Sequence, residues 1–227
     1  MLRLRHDAAP LREQYLGAEP FPHIAIDGLF DDDDLDAVLA GFPTREEMQW
    51  MEFDNPLEKK LGYYHERSRL SRVVRDFLHD LNSFEMLLWL EALTGIEGLI
   101  PDPYFGGGGL HQIEPGGYLK VHADFNVHPK LKLDRRLNML VYLNHDWQEA
   151  WGGHLELWEA DRKTVRQRIA PLFNRTVVFS TSDTSFHGHP HPLASPPGVN
   201  RRSVSLYYYT CGRPESERSA PHDTLFV

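Results

Sequence analysis

Four segments in the second half of the chain, residues 137–143, 154–158, 176–179 and 203–210, are dense in Val, Leu, Tyr, Phe and Trp. Turn-forming residues punctuate this half of the chain: Pro115-Gly-Gly, Asn144-His-Asp, Gly152-Gly153 and Pro196-Pro-Gly. β-Branched and aromatic side chains fit a pleated, half-buried surface. Short strands at such spacing, broken by Gly and Pro, define a sandwich or barrel. The length of 227 residues and an apolar fraction of 41% supply enough material for one such unit with extensions.

The first hundred residues have a different character. A short strand is expected in Phe21-Pro-His-Ile-Ala-Ile-Asp-Gly28, where apolar and polar residues alternate. The acidic run Asp31 to Asp34 precedes Leu35, Val38 and Leu39 on one helical face, and acids at a helix start meet free N–H groups and the dipole favourably. Leu70, Val73, Val74, Phe77 and Leu78 recur at helical spacing, as do Phe84, Leu87, Leu88, Leu90 and Leu93, with Gly95 as a C-cap. The expected organisation is a single domain over 1–227. It has a mostly helical support region at 1–100, a β-core at 101–210 and a C-terminal tail at 211–227 that extends along the surface or lies over the barrel.

Several function classes are disfavoured. A net charge of −9 does not provide the basic stripe that phosphate neutralisation needs, so no nucleic-acid partner is expected. The lone Cys211 cannot form an intramolecular disulfide and suits a reducing cytoplasm. The N-terminal residues lack a signal-like apolar core, and the apolar stretch at 86–100 is interrupted by Glu91 and Glu97, so no membrane partner is expected. The run Gly106 to Gly109 lacks the Lys-Ser/Thr of a phosphate loop and reads as a lid at the barrel mouth or as a spacer.

Against that background, His122-Ala-Asp124 is the candidate site. On a strand, residues i and i+2 share a face, so His122 and Asp124 point together. A third ligand must come from another strand, and His187 follows the apolar segment 176–179 at a strand start beside Gly188. Two imidazoles and one carboxylate can occupy one face of a metal and leave other positions open, a set that suits Fe(II). His189 and His191 follow at strand spacing, so periodicity alone does not select among the three. Among the other histidines, His111 could line a pocket, while His128, His145 and His154 have no spacing that demands metal.

The ordered blocks Glu114-Pro-Gly-Gly-Tyr-Leu-Lys-Val-His-Ala-Asp-Phe125, Arg136-Leu-Asn-Met-Leu-Val-Tyr-Leu-Asn144, Trp151-Gly-Gly-His-Leu-Glu-Leu-Trp158, Ala170-Pro-Leu-Phe-Asn-Arg-Thr-Val-Val-Phe179, Ser185-Phe-His-Gly188 and Arg201-Arg-Ser-Val-Ser-Leu-Tyr-Tyr-Tyr-Thr210 resemble the Fe(II)/2-oxoglutarate-dependent oxygenases of the prolyl hydroxylase type. The resemblance implies a double-stranded β-helix, or jelly-roll barrel, with helical N-terminal support. It implies Fe(II) held by His122, Asp124 and His187, with 2-oxoglutarate and dioxygen as co-substrates and ascorbate as a candidate reductant. The Gly after Phe-His, as in the family, favours His187 over His189. The far carboxylate of 2-oxoglutarate would pair with an arginine on a late strand, where a guanidinium gives two parallel bonds that lysine cannot reproduce. Of the adjacent Arg201 and Arg202, the family's Arg-x-Ser spacing favours Arg201, with Ser203 on the same face. Tyr142 matches a position that offers its hydroxyl to that carboxylate, or it is a core aromatic.

The implied reaction is hydroxylation, coupled to conversion of 2-oxoglutarate to succinate and CO2. The resemblance suggests a prolyl residue of a protein or peptide as acceptor. Small metabolites such as free amino acids or sugar-like molecules are the alternative. A second class is a cupin-like metalloenzyme that shares the barrel and does not use 2-oxoglutarate, for which Arg201 would be dispensable.

Overall fold

In the computed structural model, which describes residues 3–63 and 70–227, local sequence signals set the helices. Asp31 accepts a bond from the Asp33 amide at 3.1 Å and starts α2 (Asp32–Ala40), which follows a short α1 (Arg12–Leu16). Ser71 caps α3 (Arg72–Leu81) by accepting from the Val74 amide at 3.4 Å, and Ser83 caps α4 (Phe84–Thr94) through the Met86 amide at 3.3 Å. Each such cap contributes about 1 kcal/mol. Gly95, at φ 72°, ends α4 in the left-handed region as its position predicted.

The rest is an antiparallel sheet of thirteen strands among the described residues. In chain order these are β1 (His23–Asp27), β2 (Trp50–Asp54), β3 (Glu58–Tyr63), β4 (Ile100–Pro101), β5 (Gly109–Ile113), β6 (Tyr118–Ala123), β7 (Asp134–Tyr142), β8 (Leu155–Trp158), β9 (Val165–Ile169), β10 (Arg175–Ser180), β11 (His187–His189), β12 (Arg201–Thr210) and β13 (Leu225–Phe226). The spatial order is β1-β10-β7-β12-β5-β3-β6-β11-β8-β9, with β2 on β3, β4 on β12 and β13 on β6. Tyr142, Val177 and Phe179 from one end of this path pack with Leu155, Leu157 and Ile169 from the other. The sheet therefore curls until its two ends face each other, which gives the expected jelly roll.

The helices pack on the outer face of the longer layer. Phe77, Leu78, Leu81, Leu90 and Leu93 join Leu137, Met139, Val141, Val204 and Leu206 in one core cluster. The alternation along β7 and β12 is the cause: odd positions of β7 serve the helical core, while even positions face the barrel interior.

The helical reading of the first hundred residues is incomplete. The β2–β3 hairpin lies inside it, paired from Trp50↔Tyr63 to Asp54↔Lys59, and β3 joins the sheet between β5 and β6. Its exposed pattern, with Met51, Glu52 and Asp54 open to solvent, gave no amphipathic signal. The tail, expected along the surface or over the barrel, returns to the sheet, where β13 pairs with β6 at Leu225↔Ala123 and Phe226↔His122. No helix among the described residues is long and apolar enough to cross a membrane.

Candidate active site

His122 and Asp124 project from the end of β6 and the residue just beyond it, and His187 stands directly opposite His122 on β11. Gly188 makes that approach possible. A Cβ at Gly188 would lie 2.9 Å from the carbonyl oxygens of Leu119 and Lys120, so a larger residue would push β11 off β6. One ligand atom from each of His122, Asp124 and His187 lies within 4.8 Å of the others, and among the described residues this is the group able to hold a metal.

The donor set is already oriented. His122 Nδ1 lies 2.8 Å from the Lys120 carbonyl and His187 Nδ1 lies 2.9 Å from the Ser185 carbonyl. A carbonyl can only accept, so each Nδ1 carries the proton and each Nε2 presents its lone pair to the site. Those Nε2 atoms lie 3.7 and 3.5 Å from the Asp124 carboxylate. Burial pushes His187 down to about 4 against the pull of Asp124, so at neutral pH it is an uncharged donor. Burial is the largest influence on Asp124 and would raise it, but Arg135, His187 and His122 together outweigh it and hold the carboxyl well below the usual range.

Arg135 and Asn138 form a support that was not anticipated. Asn138 donates to Asp124 Oδ2 at 2.7 Å, and Arg135 Nη2 reaches the same oxygen at 3.1 Å. Arg135 in turn donates to Asn138 Oδ1 from Nε and Nη2 at 3.0 and 2.7 Å. Its guanidinium is buried between the rings of Phe125 and Tyr207, 4.5 and 3.5 Å from their centroids. A signal for Asn138 existed: counting by twos from Tyr142 on β7 passes through Leu140 to Asn138, and all three line the cavity.

The cavity, about 290 Å³, runs from this triad to Arg201. Arg201 is buried, donates from Nε to the Gly153 carbonyl at 2.8 Å and from Nη2 to the Tyr142 hydroxyl at 3.1 Å. Burial raises the Tyr142 phenol above its ordinary value despite Arg201, so the hydroxyl stays protonated and can donate onward. Gly153, at φ 72°, is needed for this seat, since a Cβ there would lie 2.6 Å from Leu193 and 3.2 Å from Arg201 Cδ. Ser203, Ser205 and Tyr207 follow Arg201 along the same face into the cavity. Arg202 turns away, bonding Gln112 at 3.1 Å and lying over the Phe42 ring.

The remaining sequence candidates separate clearly. His189 and His111 both line the cavity but lie outside the ligand group. His145 pairs with Asp36 and His154 with Glu149, away from the cavity. Gly107 lines the mouth, where its carbonyl accepts the Tyr207 hydroxyl at 2.8 Å, and a Cβ on Gly108 would come 2.8 Å from the Ser205 carbonyl. The glycine run is thus a close-packed part of the wall. Phe226 was also missed: its ring lies 5.3 Å from His122 and closes one side of the triad, while Phe179 covers His187 at 4.7 Å.

Residues 108–209, which carry all the candidate site residues, match the model of the 2OG-Fe(II) oxygenase superfamily. Fold and site together resemble those of the 2-oxoglutarate/Fe(II) oxygenases of the prolyl hydroxylase type. In sequence, the chain is 30% identical over 79 residues to the prolyl 3-hydroxylase OGFOD1 of Mus musculus, a match covering 33% of this chain and 14% of that relative. The fold is similar to a Pseudomonas putida prolyl-4-hydroxylase, with TM-score 0.63, 17% identity and coverage of 90% of this chain and 100% of that one. It is also similar to HygX of Streptomyces hygroscopicus, solved with nickel, 2-oxoglutarate and hygromycin B bound. That likeness has TM-score 0.59 and 11% identity, covering 94% of this chain and 96% of HygX.

Proposed function

We propose that this chain is an Fe(II)- and 2-oxoglutarate-dependent dioxygenase that hydroxylates a prolyl residue of a protein or peptide. The observation that carries the reading is one cavity lined both by the converging His122, Asp124 and His187 and by the buried Arg201, bonded to Tyr142. The residues fit the metal. Two bare Nε2 atoms and a carboxylate held ionised make a donor set with one negative charge, and no thiolate is present to favour zinc.

Fe(II), 2-oxoglutarate and dioxygen, when bound, would supply the oxidative chemistry, in which one oxygen atom of O2 enters succinate as the oxo acid loses CO2 and the other converts the substrate C–H bond to C–OH. The chain's own residues prepare the site for it. His122, Asp124 and His187 hold the metal through fixed atoms, and Arg201, with Ser203 and Tyr142, binds the far carboxylate of 2-oxoglutarate through charge-assisted bonds in a buried setting. Asn138 and Arg135 engage Oδ2 of Asp124 and so hold the carboxylate in place for the metal it would bind. Phe125, Phe179, Tyr207 and Phe226 exclude water around the reacting end. A reducing cytoplasm suits both ferrous iron and the single free Cys211.

The prolyl acceptor is supported by the sequence likeness to a prolyl 3-hydroxylase and the fold likeness to a prolyl-4-hydroxylase. The likeness to HygX with hygromycin B bound favours a second reading, in which a small sugar-like molecule occupies the mouth. Succinate release measured across proline-containing peptides, free amino acids and aminoglycosides separates them. Stimulation by peptides alone is expected, and stimulation by the small molecules alone selects the second reading.

A further inference from the structure

His189 has no part in the chemistry described so far, yet it occupies the same cavity. It follows His187 by two residues on β11 and turns to the same side of the sheet. The strand holding both is pressed onto β6 at Gly188, and Lys120 Nζ anchors the next residue by donating to the Pro190 carbonyl at 3.0 Å. His189 therefore faces inward because the backbone on either side of it is fixed.

Its hydrogen bonding differs from that of the two ligand histidines. The side chain is 4% exposed, and neither Nδ1 nor Nε2 has a hydrogen-bond partner among the described residues. Leaving a buried polar ring unpaired is unfavourable, and native folds keep such groups where a ligand, ion or water completes them. A metal is the wrong partner. His189 does not join the group whose ligand atoms lie within 4.8 Å, and its charged neighbours include the cations Arg201 and Lys60. Lys60 is paired with Glu58 at 2.9 Å, which leaves the buried Arg201 guanidinium and an imidazole N–H, a combination that matches an anion. Along β11, His189 lies two residues beyond the His187–His122 pair, opposite Leu119 and past an irregularity in the register.

Resting on the reading that this cavity takes 2-oxoglutarate, we propose that His189 is a further co-substrate-binding residue, whose ring N–H donates to a carboxylate oxygen of the 2-oxo dicarboxylic acid. Arg201 then fixes one end of the molecule, and His189 fixes its lateral position. The inference predicts opposite effects on stability and binding, because the group is unsatisfied until the ligand arrives.

The test is calorimetric titration of 2-oxoglutarate into Mn(II)-loaded full-length protein, with His189→Leu beside wild type. The leucine variant should bind 2-oxoglutarate about 5- to 50-fold more weakly. Its Mn(II) affinity should stay within about twofold, and its metal-free melting temperature should hold or rise, since an unpaired polar ring has gone. At least one of His189→Asn and His189→Gln, whose amide nitrogens stand in for Nδ1 and Nε2, should recover part of the loss. Equal 2-oxoglutarate binding by wild type and the leucine variant overturns the role of His189 alone, as does a lower melting temperature with unchanged binding. Wild type that takes up Mn(II) but no 2-oxoglutarate overturns the reading of the cavity itself. If the leucine variant does not fold, nitrogen-15 histidine spectra of the wild type decide. A ring N–H of His189 should shift and gain protection from exchange on adding 2-oxoglutarate, and an unchanged signal rejects the proposal.

Discussion

Replacing Arg201 by lysine keeps the positive charge and removes the planar fork, which makes it a sharper probe than alanine. The guanidinium spends Nε on the Gly153 carbonyl at 2.8 Å and Nη2 on the Tyr142 hydroxyl at 3.1 Å, so its plane is fixed before any ligand binds. A lysine ammonium cannot satisfy both anchors and still meet a carboxylate in parallel. Loss of one charge-assisted bond corresponds to about 1.5–3 kcal/mol, and R201K should therefore raise the Kd and KM for 2-oxoglutarate about 10- to 100-fold. R201A should go further and cost about 1–3 kcal/mol of stability for each anchor left buried without a partner. Tyr142→Phe, which removes only the hydroxyl, should weaken 2-oxoglutarate by about 2- to 10-fold. Succinate release gives KM, titration into Mn(II)-loaded protein gives Kd, and Mn(II) affinity is the control, because Arg201 stands outside the metal-ligand group. Undiminished turnover in R201A would refute the assignment and select a metal-dependent barrel enzyme that does not use 2-oxoglutarate.

Three further outcomes are expected. Asn138→Leu removes the 2.7 Å bond to Asp124 Oδ2 and should weaken Mn(II) binding about 10- to 100-fold, read by metal titration; unchanged affinity would show that Arg135 alone orients the carboxylate. Gly153→Ala places a Cβ 2.6 Å from Leu193 at φ 72°, and should lower stability by about 1–3 kcal/mol and raise the KM for 2-oxoglutarate, whereas a wild-type melting curve and KM would contradict the tight seat. Burial holds His187 at about 4 in the metal-free fold, and burial also lowers His23. An unfolded chain takes up protons there that the folded chain refuses, so the metal-free protein should lose stability as pH falls from about 6.5 to about 4. Thermal melts in chelator check the sign, and a melting temperature that rises on acidification through that window would refute it.

The parts of this structure legible in the sequence are those governed by local periodicity. His122 and Asp124 share a face because strand side chains repeat every two residues, and the same count turns Arg201 and Ser203 inward while Arg202 faces Gln112. Helices α2 to α4 are legible in the same way, through the acidic run Asp31 to Asp34, the helical spacing of Leu70 to Leu78 and of Phe84 to Leu93, and Gly95, whereas the N-caps Ser71 and Ser83 emerge only in the fold. Elements made by pairing were harder to see. Strand β9, Val165-Arg-Gln-Arg-Ile169, is a polar edge strand whose middle residues are exposed, so it carries no alternation to read. Strand β13 exists because Leu225 and Phe226 find β6, just over a hundred residues earlier. Arg135 shows the same limit at the site. A buried arginine looks improbable in isolation, and its place depends on Asp124, Asn138 and two aromatic faces brought together by the fold. Periodicity also placed His187 and His189 alike. Their different surroundings, a metal group for one and an unpaired ring for the other, are tertiary facts.

Anaerobic titration of the metal-free protein with Fe(II) and then 2-oxoglutarate tests the central claim most directly. The account predicts one Fe(II) per chain and a visible charge-transfer band that grows in only when 2-oxoglutarate is added, with both lost in His187→Ala and the band weakened in R201K. Folded wild-type protein that binds no Fe(II), or that binds it and develops no band with saturating 2-oxoglutarate, would contradict the account.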